Sequence, residues 1–75
     1  MRWKVLENGI EVAAVAIYDM AEDMASCVVD NGAVVDALSG QVVYTEKNGW
    51  ADGFDWQDAS RQGSDWLEAN RSVGV

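Results

Sequence analysis

Carboxylates supply nearly all of the reactive chemistry in this 75-residue chain, which has no histidine and one cysteine. General acid-base catalysis needs two titratable groups whose pKa values are pushed apart, and no motif here would separate two carboxyls in that way. The cysteine, Cys27, has no histidine to activate it, and its place on an apolar helix stripe with Met20 and Met24 predicts a core thiol. We therefore expect a protein that is not an enzyme and uses no cofactor.

A calcium loop is the one metal site that the sequence brings to mind, because the segment DGFDWQD carries Asp52, Asp55 and Asp58. These aspartates stand three residues apart, whereas the acids of an EF-hand loop stand two apart and precede a glycine and a distant glutamate. The usual zinc ligand sets of Cys and His are excluded by composition. We expect no metal site.

Negative charge dominates the composition: thirteen acids against five bases give a net charge of -8, while 49% of the residues are hydrophobic. That apolar fraction is typical of a folded domain rather than a disordered acidic tail. No Lys or Arg occurs between Val5 and Glu46. Such a surface repels nucleic acid and anionic lipid, and it favours a basic protein as the partner.

The candidate partner-binding residues are the acids of this stretch together with one aromatic residue: Glu11, Asp19, Glu22, Asp23, Asp30, Asp36 and Trp56. Carboxylates on one face of a helix recur about every 6 Å, which resembles the spacing of charges along a nucleic-acid backbone. The alternative is a solvated helix face whose first-turn acids are favoured by the helix dipole. That alternative does not account for the missing bases.

The aromatic residues Trp50, Phe54, Trp56 and Trp66 lie among the C-terminal aspartates. A small domain needs such side chains for its core, so we expect Trp50 and Trp66 to point inward. Trp56, between Asp55 and Asp58, is expected to point outward, where a guanidinium could stack on its ring.

Local patterns predict the elements that position these side chains. Asn8-Gly9 indicates a type I′ hairpin that pairs Glu7 with Ile10, Val5 with Val12 and Trp3 with Ala14. The apolar spacing from Ile10 to Val28 also fits one helix.

The segment from Asp19 predicts a helix with Asp19 as its cap and Glu22 completing a capping box. Its buried face is expected to consist of Met20, Met24, Cys27 and Val28, and Asn31-Gly32 should end it.

A second hairpin is predicted where Val34-Val35 face Val42-Val43, with Asp36 bonding turn amides and Gly40 at positive φ. The segment EKNGW turns the chain again, DWQDASRQ could form a helical turn, and a short helix is expected over Ser64–Arg71. Together these elements predict a single small α+β domain over residues 1–75. It consists of an antiparallel sheet of two hairpins, one packed helix and a Trp-rich C-terminal segment with a short helix.

In size, acidity and lack of cofactor motifs, the whole chain resembles the small inhibitors encoded by phages, above all anti-CRISPR proteins and nucleic-acid mimics. The resemblance is one of character and assigns no residue. It implies an acidic inhibitor that blocks nucleic-acid binding by a basic effector such as a CRISPR complex. The alternative is a small accessory or antitoxin-like module that binds one protein through exposed aromatics.

The single cysteine and the absence of a signal peptide or membrane span predict a cytoplasmic protein.

Overall fold

The computed structural model of the chain describes residues 1–62, which form an α+β fold as the sequence predicted. Five antiparallel strands make one sheet in the order β2-β1-β3-β4-β5, and helix α1 packs on one face. A second helix, α2, starts at residue 56 and continues to residue 62. The other elements are β1 (Trp3–Glu7), β2 (Ile10–Val15), α1 (Tyr18–Cys27), β3 (Gly32–Asp36), β4 (Gln41–Thr45) and β5 (Gly49–Trp50).

The first hairpin forms at the predicted turn, which excludes the alternative of one helix over residues 10–28. Asn8 and Gly9 both have positive φ, 53° and 83°, and Glu7 pairs with Ile10. The predicted pairs of Val5 and Trp3 are wrong, because a β-bulge between Leu6 and Val5 shifts the register by one residue. Val5 pairs with Ala13 and Trp3 with Val15. The sequence carried no signal for this extra residue.

The second hairpin is also confirmed. The amide of Leu38 donates to the Asp36 carboxylate at 2.9 Å, Gly40 has a φ of 75°, and Val35 pairs with Val42. A second bulge makes Tyr44, rather than Val43, the partner of Val34. At its other edge, β4 pairs with β5, and there Tyr44 is the partner of Trp50.

The predicted cap of α1 is wrong, since the helix begins at Tyr18 and the residue at its cap position, Ile17, makes no side-chain cap bond. Asp19 instead lies in the first turn, where the helix dipole still favours a carboxylate. Gly32 is expected to take the left-handed conformation after the helix, but the left-handed residue is Asn31, with a φ of 49°.

Gly32 serves a different purpose, which is to let β3 approach α1. A Cβ built on Gly32 would lie 1.8 Å from the carbonyl oxygen of Ala25, so only glycine fits at this position. The helix accordingly faces the sheet with Tyr18 and two small residues, Ala21 and Ala25, all fully buried. Close packing therefore depends on the absence of large side chains here.

This packing overturns the predicted buried stripe of Met20, Met24 and Cys27. Met20 is 52% exposed, Met24 is 38% exposed, and Cys27 is also exposed. Apolar spacing indicated the right period but the wrong face, because the alanines permit a closer contact than the methionines would. Aromatic rings fill the end of the core instead, with the Tyr18 centroid 5.1 Å from Trp3 and 5.2 Å from Phe54.

Helix α2 closes this aromatic end of the core. Asp55 caps it by accepting the amide of Asp58 at 3.0 Å, and Ala59 is buried in the core cluster. The predicted helical turn in DWQDASRQ is thus confirmed. The predicted helix over Ser64–Arg71 and the inward position of Trp66 lie outside the described residues.

We predict that Gly32→Ala destabilises the fold by about 3 kcal/mol or more, because the added methyl group must displace the backbone of α1. Urea unfolding followed by circular dichroism measures the loss. The control is Gly53→Ala, where φ is 81° but nothing lies within 4 Å of the new Cβ, so only backbone strain of about 1 kcal/mol is expected. Equal losses in the two variants would contradict the close-approach argument.

Candidate functional site

Helix α1 has three different faces, and the acidic one is the candidate site. The stripe of Tyr18, Ala21 and Ala25 is buried, Met20 and Met24 form an exposed apolar flank, and three carboxylates form the acidic flank. We name that flank, which consists of Asp19, Glu22 and Asp23, the acidic flank of α1. These acids and Met20 and Ser26 border one shallow groove of about 410 Å³.

Glu22 is held in place by two aromatic residues. Its Oε1 accepts a hydrogen bond from the Trp50 indole N–H at 2.6 Å and another from the Tyr18 hydroxyl at 3.1 Å. Its Oε2 makes no hydrogen bond within residues 1–62 and can accept one from a partner. Burial and the nearby Glu22 charge raise the pKa of Tyr18 well above its usual range, so this hydroxyl stays a donor.

Two further contacts attach the acidic side of α1 to its surroundings. The Ser60 hydroxyl of α2 donates to Asp19 Oδ1, and the Ser26 hydroxyl lies 3.0 Å from the hydroxyl of Tyr44 in β4. The carboxylate of Asp23 makes no hydrogen bond within the described part of the chain, and the residue is exposed. The acidic flank is therefore anchored at Asp19 and Glu22 and open to solvent at Asp23.

Beside the acidic flank lies a row of three aromatic rings, Tyr44, Trp50 and Trp56. Trp50 and Trp56 are stacked, with centroids 4.7 Å apart and planes 9° from parallel, and Tyr44 lies 6.5 Å from Trp50. Trp50 is 44% exposed, contrary to its predicted inward position, and Trp56 is 37% exposed. Trp50 sits outside the core because its N–H reaches Glu22 at the helix surface.

Asp36 has a structural position that separates it from the other candidate residues. It is nearly buried, and both of its oxygens face the Arg2 guanidinium, at 3.3 and 3.5 Å. Burial alone would raise the pKa of Asp36, but the hydrogen bonds from Arg2 and the Leu38 amide and the Arg2 charge together lower it. We leave Asp36 out of the candidate site.

Glu11 and Asp30 also lie apart from the acidic flank of α1. Glu11 is on β2 and forms an ion pair with Lys4 at 3.4 Å. Asp30 is exposed in the connection after α1, where its carbonyl oxygen accepts the Asn8 amide. The seven candidates thus divide into a cluster of Asp19, Glu22 and Asp23, the adjacent Trp56, and three residues elsewhere.

Within residues 1–62 only two ion pairs form, Arg2–Asp36 and Lys4–Glu11. Neither reaches the acidic flank of α1, whose negative charge is therefore not offset by a base in this part of the chain. Trp50 and Tyr44 are neighbours of the site that sequence reasoning did not assign to it. The sequence signal near Trp50 was the turn predicted in EKNGW, directly before it.

No protein-family model, curated protein or solved structure matches this chain. Among residues 1–62, no three His, Cys, Asp or Glu side chains converge in a way that could hold a metal ion. Neither helix in that range has the length and apolar character needed to cross a membrane.

We predict that Asp36→Asn lowers the free energy of unfolding at neutral pH by about 1–2 kcal/mol. The loss is modest because Arg2, which donates the charged hydrogen bonds to Asp36, is more than one third exposed to solvent. The folded-state pKa of Asp36 is lowered, so its stabilisation is complete above about pH 4 and is lost as the pH falls through the folded-state pKa. The difference between wild type and variant should therefore shrink in acid.

Urea unfolding at several pH values measures this difference. Asp52→Asn, which removes an exposed carboxylate, is the control and should change stability little at any of them. A pH-independent difference for Asp36→Asn would contradict the ion-pair account.

Proposed function

We propose that this protein is a non-enzymatic inhibitor that binds a basic, nucleic-acid-handling protein through the acidic flank of α1. A CRISPR effector is the partner class that we favour, and the cytoplasm is the compartment in which such a partner acts. The proposal rests on one observation: the bases of residues 1–62 that form ion pairs do so with Asp36 and Glu11, and the acidic flank of α1 is left with its charge.

The geometry supports recognition of a rigid basic groove. Asp19 and Asp23 lie one helical turn apart, about 6 Å along the axis, and Glu22 lies between them. Phosphates along a nucleic-acid strand present fixed negative charges at a similar spacing. A groove of Lys and Arg that is shaped for phosphates would therefore also bind this helix and release counterions in the same way.

Preorganisation adds to this electrostatic argument. Glu22 is fixed by Trp50 and Tyr18, and Asp19 is fixed by Ser60, so these carboxylates lose little side-chain freedom on binding. A flexible acidic tail of equal charge would pay that entropy on binding. The folded domain is thus suited to compete with nucleic acid despite its small size.

A second function is favoured by the half-exposed Trp50 and Trp56, which are typical of an interface hot spot. In that case the chain is an accessory or antitoxin-like module that binds one protein through its aromatics. Charge would then serve solubility. The two functions differ in their dependence on salt and on the acids.

We predict that the double variant Asp19→Asn, Asp23→Asn weakens inhibition of nucleic-acid binding by about tenfold, because two ion pairs to the basic partner are lost. The assay is target binding by each of a panel of purified CRISPR effectors, measured by gel shift with increasing inhibitor. Raising the salt from about 50 to about 200 mM should weaken the inhibitor by about tenfold or more.

The matched control is Glu46→Gln, Asp52→Asn, which removes the same charge from exposed positions outside α1. It should retain most of the inhibition. Equal losses in both double variants would assign the effect to net charge alone. Failure to inhibit any member of the panel would contradict the proposed function, and salt-independent binding would favour the second function.

A further inference from the structure

We infer that the stacked pair Trp50–Trp56 is an arginine-recognition site, so that the basic partner contributes an arginine rather than a lysine at this position. This inference rests on the proposed function and adds the chemical identity of the contacting side chain. It replaces the expectation that Trp56 acts alone with a stack of two indoles, of which Trp50 is bonded to Glu22.

The fold itself contains an example of the arrangement that we infer. The Arg2 guanidinium carbon lies 4.6 Å from the centroid of the Trp3 ring, while the same guanidinium pairs with Asp36 at 3.3 Å. A planar cation thus rests on an indole and reaches a carboxylate at once. The chain therefore already uses such a contact between its own residues, at Trp3.

The Trp50–Trp56 pair presents the same two components to solvent. Because the Trp50 N–H donates to Glu22 at 2.6 Å, a carboxylate lies at the edge of that indole. Both indoles are more than one third exposed, and the second oxygen of Glu22 makes no hydrogen bond within residues 1–62. Because each indole covers one face of the other, a guanidinium can stack on the outer face of the pair, and the Glu22 carboxylate lies at its Trp50 edge.

Both rings are fixed before any partner arrives. Trp50 is held by its hydrogen bonds to Glu22 and to the Tyr18 hydroxyl, the latter at 3.0 Å. Trp56 occupies the first turn of α2, whose start is set by the Asp55 cap. A guanidinium stacks on such a fixed indole face, whereas a lysine ammonium is a compact charge that keeps its water shell.

The experiment compares oligo-arginine and oligo-lysine peptides of equal length, which carry equal charge, by calorimetry and by the change in tryptophan fluorescence. We expect the wild-type protein to bind oligo-arginine about three- to fivefold more tightly, the range of an exposed cation–π contact. Trp56→Leu should abolish this preference. Leu38→Ala, which truncates an apolar residue that is 79% exposed on the β3–β4 turn, should preserve it.

The acidic-flank variant Asp19→Asn, Asp23→Asn should weaken both peptides alike and leave their ratio unchanged. If both peptides bind and depend on these acids but the wild type does not distinguish them, the inference fails and the proposed function stands. If neither peptide binds, both fail. Circular dichroism verifies that Trp56→Leu is folded. If this variant unfolds, the wild-type protein decides whether the site recognises arginine. The inference then requires that wild type binds oligo-arginine more tightly than oligo-lysine and that only oligo-arginine quenches its tryptophan fluorescence.

Discussion

The close approach between α1 and β3 at Gly32 is the constraint on which the rest of the structure depends. Ala25 and Gly32 leave no room for another atom, and this contact fixes the rotation of the helix about its axis. The acidic flank of α1 then faces Tyr44, Trp50 and Ser60, while the methionines face solvent on the other side. A larger residue at the contact would move α1 and separate Glu22 from Trp50.

Charge distribution follows from this placement. Arg2 bonds Asp36 and Gln62 and so ties the N-terminal strand to the β3–β4 turn and to α2, and Lys4 pairs with Glu11 beside the first hairpin. The contacts of Arg2 serve the architecture, since they join segments that are distant in sequence. Of the acids on α1, Asp19 and Glu22 are held by hydrogen bonds, and carboxylates that are fixed and not ion-paired are what a groove built for phosphates would recognise.

The sequence predicted the elements better than it predicted their contacts. Both hairpins could be read from turn residues such as Asn8-Gly9 and Gly40, because positive φ is a local property. The two bulges, the closeness of Gly32 to α1 and the exposure of Met20 depend on packing between distant segments, which local patterns do not encode. The acidic helix face was predictable from its spacing, and so was the bond of Asp36 to its turn. The connection of that face to Trp50 and the pairing of Asp36 with Arg2 were not, because both join distant segments.

The central claim is that α1 presents its acids to a basic partner. An NMR titration of the isotope-labelled protein with oligo-arginine tests it most directly, by locating the residues that contact the cation. We expect shifts of the backbone amides from Asp19 to Ser26 and of the indole N–H of Trp50 and Trp56, with little change in β2. Shifts confined to β2 or to the face of the sheet opposite α1 would contradict the account.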